Sequence, residues 1–270
     1  MIETALSLLP ALLLNFAVAI SCVLALWLMS IALRDVSIID MVFAVIMYLI
    51  LVASALGTEQ LGTADKLMLG VVGLWALRVT LHLLRRNWGH GEDPRYSKLR
   101  TWVEGEWAFH WLSLRKVFLL QGVVLWFATL PAQVAILLAE PMSPTVLSYM
   151  GAAIALAGLA IETVADLQLG AFRADASKRG TVLQSGLWHY SRHPNYFGEL
   201  CVWWGVFFMA CANPLAIVTL IGPLVYSHLI VNITGQATLD KKLAREKPGY
   251  AEYMERTNGM IPWPPKAAKD

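Results

Sequence analysis

The chain has 270 residues, of which 57% are hydrophobic and only 15% charged. That balance lies far outside soluble norms, and a net charge of +2 gives no ground for a nucleic-acid partner. The apolar runs are long enough for helices of about 20 residues, the length that crosses a bilayer core, so the sequence reads as an integral membrane protein.

In chain order, spans are predicted near residues 6–33, 36–57, 66–84, 117–138, 145–168, 199–212 and 214–235. This is an all-α, polytopic fold of seven transmembrane helices. The first span is expected to be retained rather than cleaved, because no cationic segment precedes it and its apolar stretch is too long for a signal peptide. Lys and Arg are kept on the cytoplasmic side of such proteins. With the N-terminus outside and the C-terminus cytoplasmic, every Lys and Arg except Lys66 and Arg78 falls inside. The short outer segments "GTEQLGTAD" and "AEPMSP" are correspondingly poor in cations. Cys22, Cys201 and Cys211 sit in apolar segments without CxxC spacing, which argues against a disulfide framework or a zinc ribbon.

An ionisable side chain inside a span costs about 2.5–3.5 kcal/mol on insertion scales, so each should face protein, water or a ligand. Those residues are Asp40 in the second span, Arg78 and His82 in the third, Glu162 and Asp166 in the fifth, and Glu199 at the start of the sixth. Arg78 and His82 are four apart and share a helix face, as do Glu162 and Asp166. Arg173 continues the acidic stripe if that helix extends past the membrane. A purely structural alternative for Arg78 is an ion pair with Asp40. Two acids on one face repel unless cations or ligand hydroxyls meet them. By the predicted topology all of these residues lie toward the cytoplasmic half, as if around a polar cavity open to that side.

The most polar short stretch is "SRHPNYFGE", residues 191–199. Proline suits the first position of a helix, so Pro194 is expected to start the sixth span, with Asn195, Tyr196 and Glu199 in its opening turns. A helix start attracts an anion. Arg192 stands beside it, and Arg173, Lys178 and Arg179 precede it, a set suited to phosphate or to anionic lipid headgroups. Upstream, "GLWHY" offers Trp188, His189 and Tyr190 after Gly186, whose backbone permits a turn. His189, His193 and Glu199 lack convincing metal-ligand spacing, so no metal is expected. Neither a dinucleotide fingerprint after a strand nor a P-loop is present.

"GLWHYSRHPNYFGELCVWWG", preceded by "ETVADLQLGAFR" and followed by "YAEYMERTNGMIPW", resembles the C-terminal region of the steroid 5-alpha-reductase family. "VSIIDMVF" and "LWALRVTLHLLRRNWGHGEDPRYSKLR" resemble more narrowly its bacterial branch, known as the domain of unknown function DUF1295, over about residues 36–263. The resemblance implies a single integral membrane domain over 1–270, with the cofactor-binding motifs in 179–263. It implies a bacterial cytoplasmic membrane enzyme that binds NADPH and reduces the activated carbon–carbon double bond of a lipophilic substrate, such as a 3-oxo-4-ene steroid. Carried over by position, the family's acid and arginine seven apart become Asp166 and Arg173. Its motif asparagine and glutamate become Asn195 and Glu199, and its tyrosines become Tyr190 and Tyr253. With them, Glu162, Lys178, Arg179, Arg192, His193 and Tyr196 complete the expected cofactor-binding set.

One departure concerns the substrate. The steroid enzymes place a ketone-polarising tyrosine three residues before a mid-span arginine, and here the residue three before Arg78 is Trp75. An indole N–H donates a hydrogen bond but supplies no proton at neutral pH. The candidate donors for the developing oxyanion are therefore Arg78, His82, Tyr96 or a protonated Asp40. The "RHPxYxG" signature is also similar to that of isoprenylcysteine carboxyl and phospholipid methyltransferases, which bind S-adenosylmethionine. Asn195, the Asp166–Arg173 pair and the "GLWHY" context favour the reductase. A non-catalytic lipid-binding protein is the third alternative, and no internal repeat of the kind found in transporters is visible. Substrate identity and oligomeric state are not legible.

Overall fold

The computed structural model describes residues 2–138 and 143–267. It is all-helical, 79% helix with no strand among the described residues. Six helices there are long and apolar enough to cross a membrane: Leu6–Leu33, Ile38–Leu56, Thr63–Asn87, Glu106–Leu137, Val146–Ala174 and Pro214–Glu246. The chain is thus an all-α integral membrane protein. Several helices outrun the expected spans, because a helix does not stop where its apolar run stops. The third carries Arg85 and Arg86 in its last turn, where cations meet the negative end of the helix dipole. The stretch expected to form the sixth of seven spans is a helix, Pro194–Ala210, but of only 17 residues. At 1.5 Å per residue it is about 25 Å long, a turn or so short of a typical hydrocarbon core. Of the expected outer segment "AEPMSP", residues 139–142 lie outside the described residues.

The chain divides into two compact units. Unit 1 comprises residues 1–149 and 207–222. Its framework is α1 (Ile2–Leu33), α2 (Ile38–Leu56), α3 (Thr63–Asn87) and α6 (Leu120–Leu137), with the short helices α4 (Pro94–Arg100) and α5 (Glu106–Ser113) between them. A π-helical turn, Leu114–Leu119, joins α5 to α6. Lipid tails are as apolar as leucine, so hydrophobicity alone does not hold such helices together; packing and buried polar contacts do. Asn15 on α1 donates to Ser54 Oγ on α2 at 2.7 Å and to Gln133 Oε1 on α6 at 3.0 Å. Gln133 in turn donates to Thr129 Oγ1 and to the Trp126 carbonyl. All of Asn15, Ser54, Thr129 and Gln133 are buried, so each polar atom here meets protein rather than lipid.

Unit 2 comprises residues 150–206 and 223–270. Its long helix is α7 (Val146–Ala174), which continues past its apolar part to carry Arg173, as the acidic-stripe reading required. A one-turn helix α8 (Leu187–Tyr190) leads to α9 (Pro194–Ala210), and α10 (Ile221–His228), α11 (Gln236–Glu246) and α12 (Tyr250–Arg256) complete the unit. Pro194 is the first residue of α9, as expected from its ring. The carbonyl of His193 accepts the first turn's N–H from Phe197 at 3.0 Å.

Glycine lets α7 and α9 touch backbone to backbone. A methyl group built on Gly158 would lie 2.5 Å from the Gly198 carbonyl oxygen, and one on Gly198 would lie 2.6 Å from the Glu162 nitrogen. Two turns further, a methyl on Gly205 would lie 2.5 Å from the Gly151 carbonyl oxygen. The close approach brings the polar residues at the start of α9 beside those of α7. Replacing Gly198 with alanine should therefore destabilise the detergent-solubilised protein by about 1–3 kcal/mol, the usual range for overpacking. Thermal unfolding reads this, and an unchanged midpoint would contradict the tight crossing.

Candidate functional site

The segment before α9 is built onto α7. Gly186 has φ +62°, the left-handed region expected for a turn glycine, and a side chain there would collide with Gln168. Gln168 Oε1 accepts the Leu187 N–H at 2.9 Å, and Trp188 Nε1 donates to the Ala165 carbonyl at 3.1 Å. Ala165, Leu183 and Trp188 form a small apolar cluster with Leu169, Phe172 and Leu187. The aromatic stretch "GLWHY" is therefore split. Trp188 is buried structure, whereas His189 and Tyr190 are exposed.

The polar motif divides in a similar way. Its first half turns toward α11, α12 and the C-terminal tail. Arg192 Nη2 donates to Asp240 Oδ2 at 2.8 Å, its Nη1 donates to the carbonyls of Met254 and Thr257, and its backbone N–H donates to the Asn258 carbonyl. His193 Nε2 meets Asp240 Oδ1 at 2.8 Å, and Tyr250 donates to the same oxygen at 2.6 Å. A carboxylate only accepts, so the imidazole carries its proton on Nε2. The His193 ring stacks on Tyr196 with centroids 5.5 Å apart. Arg192, His193 and Asp240 are all buried. Tyr253 donates to the carbonyls of Trp188 and Ser191, and Ser191 Oγ donates to the Met260 carbonyl at 2.7 Å. Burial pushes the Tyr250 phenol well above its usual range, reinforced by its bond to Asp240, so it remains a donor. Arg192, His193 and Tyr253 thus tie the chain before α9 to the C-terminal tail.

The second half of the motif faces α7. Glu162 and Asp166 are buried, 6% and 8% exposed. Asn195 Nδ2 donates to Asp166 Oδ1 in a long bond of 3.4 Å, while Asn195 Oδ1 is buried with no hydrogen-bond partner. Glu199 Oε1 accepts from Tyr226 at 2.5 Å. Asn195, Asp166 and Glu199, grouped by the family resemblance, thus belong to one α7–α9–α10 neighbourhood with Glu162. Arg173, Lys178 and Arg179 are exposed beyond the end of this region, with Lys178 paired to Asp175 at 3.0 Å. The Ser177 and Lys178 bonds hold the exposed Asp175 carboxyl below its ordinary range.

In unit 1, Asp40 lies in the first turn of α2. Its ion-pair partner is Arg95, Nη2 to Oδ2 at 2.6 Å, rather than the Arg78 considered from the sequence. The reason is local. Asp93 caps α4 through the Arg95 N–H, and Glu92 accepts the Val36 N–H at 3.0 Å while pairing with Arg100 at 2.8 Å, so α4 is fastened to the start of α2. Burial opposes ionisation of Glu92, but the Arg100 and Val36 bonds outweigh it and hold its carboxyl below the usual range. Tyr96, on the same short helix, donates to Asp40 Oδ1 at 2.9 Å. Burial, with Asp40 adjacent, pushes the Tyr96 phenol far above its normal range. Gln121 Nε2 approaches Asp40 Oδ1 at 3.4 Å, and its own Oε1 is buried and unpartnered. Arg78 and His82 are half-buried on α3, and Trp75 is fully buried, edge-on to Phe43 at 6.1 Å.

The profile of a family described as "Protein of unknown function (DUF1295)" matches residues 26–257. The chain belongs to the DUF1295 family. No curated protein and no solved structure matches it. The match covers both units of this DUF1295 chain, including Asp40, Tyr96, Asp166, Asn195, Asp240 and Tyr253.

Several residues of these clusters had no signal in the sequence. Asp240 and Tyr250 lie 47 and 57 positions after His193, and Tyr226 lies 27 after Glu199, so no helical period links them. Arg95 and Gln121 were likewise invisible as partners of Asp40. Deleting the carboxylate of Asp240 by Asp240→Ala leaves Arg192 buried without its counter-ion and His193 without its hydrogen-bond partner. A loss of about 3–5 kcal/mol is expected, with increased protease cleavage in the 240–267 tail. Wild-type thermal stability with an uncleaved tail would refute the tie.

Proposed function

We propose that this DUF1295 protein is a membrane-embedded NADPH-dependent reductase acting on the carbon–carbon double bond of a lipophilic enone, related to the steroid 5-alpha-reductases. The observation that carries the reading is Asn195 Oδ1, an acceptor buried beside Asp166 and without a partner. A buried polar atom left unsatisfied costs about 1–3 kcal/mol, so the site is built for a donor it does not itself contain. The carboxamide N–H of a nicotinamide and the hydroxyls of a ribose are such donors. Asp166, Glu162 and Glu199 provide further acceptors, and the exposed Arg173, Lys178 and Arg179 suit the phosphates of the same molecule.

When bound, NADPH supplies the hydride that adds to the β carbon of the enone. The chain must then hold the negative charge that develops on the carbonyl oxygen. Tyr96 has the properties required: its phenol keeps its proton and is oriented by Asp40. Trp75 is fully buried and packs edge-on against Phe43. Arg78 and His82 remain donors on the same unit. In this reading the helix Pro194–Ala210 crosses as a seventh, short span, the N-terminus is outside, and the site opens to the cytoplasm of a bacterial cell across its cytoplasmic membrane. The cation distribution supports that orientation.

A second reading is supported by the acidity of Glu162, Asp166 and Glu199. Such a cluster also suits the sulfonium and ammonium charges of S-adenosylmethionine, and the product would then be a methylated lipid. The exposed arginines and lysine have no role there, since that cofactor carries no phosphate. Purified protein in detergent should be stabilised against heat by NADPH and not by S-adenosylmethionine. Asn195→Ala and Glu199→Gln should each weaken NADPH binding about tenfold, as expected from one lost hydrogen bond to a buried partner. Asp40→Asn should retain that binding and lose turnover of an enone. Stabilisation by S-adenosylmethionine alone would replace the reductase with the methyltransferase, and stabilisation by neither would favour a lipid-binding protein.

A further inference from the structure

On the Arg100 side of α4, unit 1 contains an open cavity of about 260 Å³ lined by Ile31, Arg34, Arg100, Glu106 and His110. Arg34 immediately follows the last residue of α1, and Glu106 and His110 lie in the opening turns of the apolar run Glu106–Leu137. The cavity therefore sits where two membrane helices end, at the level of lipid headgroups. We propose that it binds the phosphate diester of an anionic phospholipid.

Charge and geometry carry the proposal together. Arg100 is held in place by Glu92, with Nε to Oε2 at 2.8 Å, and lies 4.0 Å over the Phe109 ring. Its Nη1 reaches Glu106 at 3.6 Å, and its Nη2 donates to the Arg34 carbonyl at 3.4 Å. Arg100 is thus largely neutralised by neighbouring acids. Arg34 differs, because its guanidinium makes no ion pair or hydrogen bond among the described residues. Its backbone also lies at φ +53°, a region uncommon for a side chain of this size. The chain keeps an arginine where glycine fits better, and among the described residues that guanidinium has no partner. A guanidinium facing a phosphate satisfies both observations, since its fork binds phosphate oxygens in pairs.

The surroundings select a lipid over a free anion. Trp27 Nε1 donates to the His110 carbonyl at 3.1 Å and fixes α1 to α5. Trp107 packs edge-on against the His110 ring at 6.0 Å, and Trp107 and Trp111 are 76% and 56% exposed. Exposed indoles beside a charged cavity match the membrane boundary, where the ring lies against glycerol and acyl carbons and the N–H stays wet. Basic pockets between helix ends are known to hold such headgroups.

The test uses the full chain in detergent and reads phospholipid retention by native mass spectrometry, with phosphatidylglycerol against phosphatidylcholine. Wild type should retain phosphatidylglycerol preferentially. Arg34→Gly removes the cation while suiting the backbone, and should weaken retention about fivefold, near the value of one cation at an anionic surface. His110→Gln should weaken it as well. The proposal fails if both variants retain phosphatidylglycerol as wild type does. It also fails if inorganic phosphate at matched concentration stabilises the protein as much as the lipid, which would make this a free-anion site. No turnover is measured, so the result stands apart from the identity of the cofactor.

Discussion

The backbone contact between α7 and α9 is the constraint on which unit 2 depends. Two helices bearing ordinary side chains pack with axes about 8–10 Å apart. Gly158, Gly198 and Gly205 remove the side chains that would impose that spacing, and their carbonyls and Cα atoms meet instead. In lipid, such contact is a principal source of helix association, because no water is released when the helices meet. It also places acidic residues within a turn of the crossing. Glu162 lies on the helix face that touches Gly198, and Asp166 lies one turn further, within reach of Asn195. The polar site and the helix contact are two consequences of one packing arrangement, so a side chain added at the crossing disturbs both.

A second constraint separates the two halves of the polar motif. Arg192 and His193 share one carboxylate, Asp240, and between them they satisfy both its oxygens. The bonds from Arg192 to the carbonyls of Met254 and Thr257 then hold the end of α12 in place, while Tyr253 closes over the turn at Trp188. Buried charges are tolerated only when paired in this way. The consequence for the site is positional. Pro194 and Asn195 follow directly on a rigid, fully bonded dipeptide, so the start of α9 is fixed in depth and rotation before any ligand arrives. Arg192 and His193 act here as supports, and their hydrogen bonds are already made inside the protein.

How far the sequence alone reaches follows from which features are local. Apolar runs announce membrane helices because each helix must satisfy its own backbone in lipid, whatever its neighbours are. Pro194 and Gly186 also act locally, through ring geometry and a missing side chain, and both occupy the places expected of them. The pairing of Asp166 with Asn195 required α7 and α9 to meet, which the glycines permit but do not announce. Partners such as Asp240 and Arg95 are set by how distant segments dock, and no period or spacing encodes that. The Pro194–Ala210 helix is a graded case. Its apolarity was legible, but its shortness depends on where the chain turns at Cys211–Asn213.

The tryptophan three residues before Arg78 can be understood from what surrounds it. Trp75 is completely buried and packs against Phe43, so its bulk fills a space in the α2–α3 interface. The phenol of unit 1 that does have a carboxylate partner is Tyr96, which comes from α4 outside the apolar spans. α4 is held by side-chain contacts to the start of α2, through Glu92, Asp93 and Arg95. A donor held by a short docked helix is placed less rigidly than one within a membrane span. Its position depends on the ion pairs of Arg95 and Arg100 remaining intact. Any chemistry that uses Tyr96 therefore inherits the state of those pairs.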